Sequence, residues 1–190
     1  MIIDREDLEV WMIALLNRDD MKEIRQQALD SWWKQGVNVS FFDAVTPDKL
    51  SSFDQILNLT RKEKLEYWGG PVPFSDTEKC IWYSHFFMWK HCIEINKPIC
   101  IIEEDCELIR DWPEFFIVYK AAAFCYDSKE VTPAAGYILT VETAKYLYEY
   151  ALKETLQFNV DHLLIKNVDD KKPRDLAIQV PRNWRTIEHW

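Results

Sequence analysis

The sequence predicts an α/β fold in which a mainly parallel sheet is flanked by helices on both faces. An apolar run at residues 11–16 (WMIALL) has the length of a strand, and a helical pattern and a second strand-like run, 37–42, follow it. A strand, a helix and a strand within about 30 residues indicate a βαβ unit, whose two strands are parallel. A further apolar run at 99–102 adds a buried strand.

The first helix is predicted from its apolar spacing. Met21, Ile24, Ala28 and Trp32 recur at intervals of three or four residues, as on one face of a helix. Gly36 follows this pattern and is a typical C-terminal cap. The strand at 37–42 is therefore expected to begin directly after the helix.

The second long helix is predicted to begin at a capping box, in which Ser75 precedes Glu78 by three residues. Its apolar face includes Trp89, and it should end just before Pro98. The run at 99–102 that follows is mainly β-branched, which is typical of a buried central strand.

The remaining segments carry weaker patterns. We predict a polar, mobile loop at 46–73, a helix from 113 to 125, a strand at 136–139, a helix through 144–151 and a polar tail from 171. No repeat or obvious linker divides the chain, and 190 residues with 48% hydrophobic content fit one domain, 1–190.

Composition excludes several classes of protein. No apolar run approaches the roughly 20 residues that span a bilayer, and the acidic N-terminus does not resemble a secretory signal, so we expect a cytoplasmic protein without a transmembrane segment. The five cysteines are odd in number and lack CxxC spacing, which favours free thiols over disulfides or a zinc site. A net charge of -9 disfavours a nucleic-acid partner, although a local basic groove stays open.

Three adjacent acids, Glu103, Glu104 and Asp105, follow the strand at 99–102. They lie at its carboxyl end, where open α/β sheets place their ligands. One interpretation is a solvated turn. The other is a site for Mn²⁺ or Mg²⁺, because these cations prefer oxygen ligands and bridge carboxylates to substrate phosphates.

Four other polar residues are candidates for chemistry. Ser84 and His85 interrupt an apolar helix, where the histidine is either a hydrogen-bonded core residue or a group that orients a ligand. Asp161 is either an N-cap or a general base. Arg18 pairs either with a phosphate or with a neighbouring aspartate, Asp19 or Asp20. No GxSxG, Walker A or GxGxxG pattern occurs, so these hydrolase and nucleotide motifs are excluded.

Several segments in order resemble the glycosyltransferases of family 25, which act in lipooligosaccharide synthesis and on collagen. The segments are IALLNRDD with Arg18, VSFFDAV at 39–45, CIWYSHFFMWKHCIE at 80–94, IIEEDCEL at 101–108, and the pair AAGYILTVETAKYL and NVDHLL. The third is the closest match, because it resembles a Cys-x-x-Ser-His-x-x-x-Trp-Lys helix with one additional residue after Cys80.

The resemblance implies a GT-A-like fold and transfer of a sugar from a nucleotide-sugar donor, typically a UDP-hexose, to an acceptor hydroxyl with inversion. It implies Mn²⁺ or Mg²⁺ as cofactor, and a saccharide or another hydroxyl compound as acceptor. The residues to which it assigns roles are Glu104 and Asp105 as metal ligands, Asp161 as the catalytic base, and Arg18, Ser84, His85, Glu103 and Tyr137 as donor-binding residues.

The sequence also departs from the family pattern. Glu104 stands where the family usually has aspartate, the arginine usually adjacent to Arg18 is absent with Arg25 the nearest, and the span 111–135 is short. These departures keep an alternative open, a non-catalytic relative that binds a carbohydrate or a partner. A sugar transferase that modifies nucleic acid is a third hypothesis, which the net charge disfavours.

Overall fold

The computed structural model describes residues 1–53, 55–60, 73–127, 130–131, 135–157, 159–165 and 177–179. The helices are α1 (Lys22–Lys34), α2 (Asp76–Ile95), α3 (Val141–Lys153) and α4 (Val160–Ile165). The strands are β1 (Ile2–Asp4), β2 (Glu9–Ala14), β3 (Val39–Asp43), β4 (Asn58–Leu59), β5 (Ile99–Glu103), β6 (Cys106–Leu108), β7 (Phe115–Ile117), β8 (Ala121–Ala123), β9 (Cys125–Asp127), β10 (Glu130–Val131), β11 (Gly136–Leu139), β12 (Thr155–Leu156) and β13 (Ala177–Gln179).

The central sheet has five strands in the order β3-β2-β5-β11-β8. β2 is parallel to both β3 and β5, and β11 is antiparallel to both β5 and β8. Four of the five strands therefore run in one direction, with β11 opposed to the rest. The mainly parallel sheet predicted from the sequence is confirmed.

Helices cover both faces of this sheet. On β5, Cys100 and Ile102 belong to the core beneath α1, whereas Ile99 and Ile101 belong to the core beneath α2 and α3. All four side chains are fully buried. This explains why β5 is a continuous apolar run and does not alternate with polar residues, since a strand covered on both faces has no solvent side.

The ends of the long helices agree with the sequence prediction. The Ser75 hydroxyl accepts from the Glu78 amide and the Glu78 carboxylate accepts from the Ser75 amide, which completes the capping box that begins α2. Gly36, directly after the last turn of α1, has a φ of 70°, in the left-handed region that glycine adopts without steric cost. In the part of the chain that the structure describes, no helix has the length and apolar character needed to cross a bilayer.

The helix predicted over 113–125 is wrong, because this segment forms β7, β8 and the start of β9. Phe115 and Ile117 are exposed whereas Phe116 and Val118 are buried, which is the two-residue period of a strand. Each of these residues is apolar, so the alternation is in burial and not in residue type, and the sequence pattern does not reveal it.

Smaller sheets extend the molecule beyond the central one. β1 pairs with β7, β12 pairs with β4, and β6 belongs to a four-stranded sheet of order β10-β9-β13-β6. The predicted mobile loop at 46–73 contains a short 3-10 helix, Pro47–Ser52, and then β4. Residues 54 and 61–72 of that prediction lie outside the described residues.

Candidate active site

The carboxyl ends of β2 and β5 bring the candidate residues together. The two strands pair in parallel with Ile13 opposite Glu103, so the residues after β2 lie beside the acids that end β5. Glu103 is the last residue of β5, and Glu104 and Asp105 form the turn into β6. Strand β11 begins at this same edge, because its first residue, Gly136, pairs with Ile102.

Glu104 and Asp105 are not a solvated turn, because their residue exposures are 2% and 0%. Glu104 Oε2 accepts a hydrogen bond from the Leu15 amide at 3.2 Å and another from Arg25 Nη1 at 3.1 Å. The same Arg25 nitrogen donates to the Leu15 carbonyl at 3.0 Å. A buried carboxylate needs this kind of compensation, since its desolvation is costly unless a charge and hydrogen bonds replace water.

Arg25 is a site residue to which the sequence analysis gave no role. It is in the first turns of α1, seven residues after Arg18, and its contact with Glu104 crosses 79 positions of sequence. The sequence observation on Arg25 was that it is the arginine nearest to Arg18, which is weak evidence for a role in the site. The sheet register decides the contact, because it puts the end of β2 beside the end of β5.

Arg18 pairs with Asp20 through both Nε and Nη2, which is one of the two partners left open by the sequence. The hydrogen bond to Asp20 raises the pKa of Arg18 against the opposing effect of burial, and the charges of Asp20 and Glu104 raise it further. The same bond lowers the pKa of Asp20. Arg18 is therefore a cation at the rim of the site, and its charge interacts with that of Glu104.

His85 lies inside a buried polar cluster on α2 and β11. Its Nδ1 is 2.9 Å from the Tyr137 hydroxyl, which also accepts a hydrogen bond from Trp89 Nε1 at 2.9 Å. His85 Nε2 is 3.7 Å from Glu103 Oε1. Trp89 was part of the matching sequence motif but not a predicted site residue. Its position four residues after His85 was the available signal, since residues i and i+4 lie on one helix face.

Ser84 forms hydrogen bonds with backbone groups, whereas His85 contacts a side chain. Its hydroxyl donates to the Cys80 carbonyl at 2.8 Å and accepts from the Val45 amide at 2.9 Å, and the residue is buried. The hydrogen bond from the Val45 amide attaches α2 to the segment that follows β3. The structure therefore places Ser84 as a positioning residue for the backbone around Val45, and its assignment as a donor-binding residue remains a prediction.

Asp161 lies within electrostatic reach of the His85 cluster. Burial raises the pKa of Tyr137 well above its usual range, the Trp89 hydrogen bond opposes this, and the negative charges of Glu103 and Asp161 add to the increase. Asp161 is the second residue of α4, inside the helix and not before it, so it is not the N-cap. Val160 beside it and Leu164 are buried in the core under α2 and α3.

Five of the predicted site residues thus face one edge of the sheet: Arg18, His85, Glu103, Glu104 and Asp105. Tyr137 lies beneath this edge, next to His85, and Asp161 approaches it from α4. Among the residues that the structure describes, no group of three or more histidine, cysteine, aspartate and glutamate side chains could hold a metal ion.

Comparison with known proteins identifies the family. The sequence model of glycosyltransferase family 25 (LPS biosynthesis protein) matches residues 7–116. The chain belongs to this family. The match contains β2, both arginines, the His85 helix and the acidic turn, and it confirms the resemblance inferred from the sequence. Helices on both faces of the central sheet agree with the α/β architecture predicted from the sequence.

Two further comparisons were found. A Haemophilus influenzae protein named "Putative glycosyltransferase" is 25% identical over 170 residues, which cover 75% of this chain and 58% of the relative. The chain therefore matches little more than half the length of this relative. A crystal structure of a glycosyltransferase involved in the glycosylation of the major capsid of PBCV-1 has a TM-score of 0.45 and 6% identity, and the similarity covers 84% of this chain and 74% of that one.

Proposed function

We propose that this chain transfers a hexosyl group from a UDP-hexose to an acceptor hydroxyl, with inversion at the anomeric carbon and with the help of a divalent cation. The observation that carries the proposal is the buried acidic turn, Glu104–Asp105, at the carboxyl end of β5. Arginines and His85 surround this turn, and family membership gives the reaction class.

The diphosphate of the donor is bound at the rim of the turn. Arg18 is the cation for this role, because its side chain is 29% exposed and its planar fork matches a phosphate as well as it matches Asp20. Arg25 is less accessible, at 12%, and neutralises Glu104 from within. Arg18 therefore binds the ligand, and Arg25 stabilises the acidic turn.

A divalent cation fits this turn if the protein shares it with the ligand. Two adjacent carboxylates supply the hard oxygen ligands that Mn²⁺ and Mg²⁺ prefer. Glu104 Oε2 already accepts two hydrogen bonds, so Glu104 would offer its other oxygen, and Asp105 would be the main ligand. When bound, the cation neutralises charge that develops on the departing diphosphate.

Asp161 is the proposed general base. The carboxylate takes the proton of the acceptor hydroxyl as that oxygen bonds to the anomeric carbon, and the bond between this carbon and the diphosphate oxygen breaks. The electron pair leaves with UDP, and the attack from the opposite face inverts the configuration. The charge of Asp161 acts from another element, α4, on Tyr137, the partner of His85, and this supports the assignment.

The ion pair between Arg25 and Glu104 favours one second candidate. Because Arg25 already pairs with Glu104, this carboxylate has a counter-charge without a cation, as a non-catalytic relative that binds a carbohydrate would require. Thermal unfolding with UDP, with Mn²⁺ and with both separates the two. The enzyme is expected to be stabilised far more by both together, by about 2.7 kcal/mol when the ligand is at 100 times its dissociation constant. Equal midpoints with and without UDP plus Mn²⁺ would contradict the proposed function.

Donor hydrolysis tests the metal ligand. Asp105→Ala should reduce Mn²⁺-dependent hydrolysis of a UDP-hexose by roughly 100-fold or more, the size expected when a major electrostatic group is removed. Asp30→Ala, which removes an exposed carboxylate on α1, is the matched control and should hydrolyse the donor at the wild-type rate. Equal rates in wild type and Asp105→Ala would refute the assignment of Asp105.

A further inference from the structure

The hydrogen bonds around Tyr137 determine where the protons of His85 are. Tyr137 is 1% exposed, and its hydroxyl has one hydrogen to donate. Trp89 Nε1 can only donate, so it occupies an acceptor position on the Tyr137 oxygen. Among the residues that the structure describes, the other partner of this hydroxyl is His85 Nδ1.

Two arrangements are consistent with these distances, and they differ in the hydrogens they leave unsatisfied. If Tyr137 donates to a bare Nδ1, its hydrogen is satisfied and the neutral imidazole carries its own hydrogen on Nε2. If Nδ1 carries the hydrogen, the Tyr137 oxygen accepts twice and its buried hydrogen has no acceptor among the described residues. Each arrangement leaves one buried hydrogen without an acceptor, but the first leaves it on Nε2, 3.7 Å from the Glu103 carboxylate. The second leaves it on Tyr137, away from any described acceptor, and turns a bare Nε2 lone pair towards that carboxylate, so the first arrangement is favoured.

The N–H group at Nε2 then lies beside Glu103, the last residue of β5. His85 is 1% exposed, and its Nε2 has no hydrogen-bond partner among the described residues. Glu103 Oε1 is 3.7 Å from Nε2, which is too far for a direct hydrogen bond. One small polar group that reaches both the N–H and the Glu103 carboxylate would satisfy this donor.

We propose that Trp89 and Tyr137 hold His85 in the Nε2–H tautomer, and that this N–H and the Glu103 carboxylate bind one hydroxyl of the donor hexose. The identity of the ligand rests on the proposed function, whereas the tautomer does not. An oxygen about 2.8 Å from both atoms fits between groups 3.7 Å apart. A hydroxyl accepts from the N–H and donates to the carboxylate, so it satisfies both groups. Trp89 and Tyr137 are then positioning residues.

The tautomer is measurable in the ligand-free chain by ¹⁵N-edited NMR of the histidine rings at about pH 8, where an ordinary histidine is neutral. The His85 resonances are assigned by their absence in His85→Gln. We expect a bare Nδ1 and a protonated Nε2 in the wild type. A wild-type His85 that is protonated at Nδ1 would overturn the proposal, whatever the variants do.

Tyr137→Phe should shift His85 towards a mixture of tautomers, because the donor to Nδ1 is lost. Tyr83→Phe is the matched control. It also removes a buried tyrosine hydroxyl, one that donates to the Phe53 carbonyl, and it lies on the same helix as His85. It should lower the melting temperature and leave the tautomer of His85 unchanged. An unaltered tautomer in a folded Tyr137→Phe would refute the positioning role.

The hydroxyl is tested by comparing the calorimetric dissociation constants of UDP and UDP-glucose or UDP-galactose, with Mn²⁺ present. The preference of the wild type for the hexose over UDP should fall roughly tenfold or more in His85→Phe, and His85→Gln should restore part of it by supplying an N–H donor. If His85→Phe keeps the wild-type preference, the hydroxyl subsite is wrong. If the wild type binds no nucleotide, the proposed function and the subsite fail together, whereas the tautomer result stands on its own.

Discussion

Removal of Arg25 should destabilise this protein considerably, because Glu104 would be left buried without its counter-charge. Breaking a buried ion pair by removing one partner costs about 3–5 kcal/mol. Here the Arg25 side chain is 12% exposed, and Glu104 keeps its hydrogen bond from the Leu15 amide. We therefore expect Arg25→Met to lower the free energy of unfolding by about 2–4 kcal/mol, within the 5–15 kcal/mol typical of whole domains.

Urea denaturation measures this loss. With a slope of about 2 kcal/mol per molar urea, a loss of about 3 kcal/mol moves the midpoint down by about 1.5 M. The double variant Arg25→Met with Glu104→Gln should be more stable than Arg25→Met alone, because the buried charge is then absent. Lys49→Met removes the exposed pair with Asp43, whose side chains are 40% and 42% exposed, and should cost less than about 1 kcal/mol.

Two outcomes would refute this reasoning. One is an Arg25→Met variant no less stable than Lys49→Met, since burial of Glu104 would then carry no cost. The other is a double variant whose loss equals the sum of the losses measured in Arg25→Met and in Glu104→Gln alone, because additive effects indicate that the two side chains do not interact.

Two further predictions concern α2. Ser84→Ala should lower the free energy of unfolding by about 1–3 kcal/mol, since the buried Val45 amide loses its acceptor. Hydrogen exchange of the Val45 amide should also accelerate. Unchanged exchange would contradict the role of Ser84. Burial raises the pKa of Cys92 to about 12 from 9.0, so the folded state keeps a proton that the unfolded state loses, and stability should fall as pH rises above about 9. Between about pH 8 and 10.5 the wild type should lose about 2 kcal/mol more than Cys92→Ala, and equal losses in urea titrations would refute this.

The order of the main elements could be predicted because its signals are local. The capping box at Ser75 and the glycine at position 36 determine helix ends through contacts within a few residues, and the apolar run of β5 indicates burial on both faces. The segment 113–125 could not be assigned in this way. Its alternation of buried and exposed positions is hidden, because apolar residues occupy both.

The candidate site was likewise predictable only where its signals are local. From its position after β5, the sequence by itself determined that three acids would lie at the carboxyl edge of the sheet. Only the tertiary structure decided that Glu104 is paired with Arg25 and that Tyr137 and Trp89 surround His85. The physical reason is that strand and helix patterns depend on neighbours along the chain. The charge state and hydrogen bonding of a buried side chain depend instead on residues that the sheet register brings together from 48 to 79 positions away.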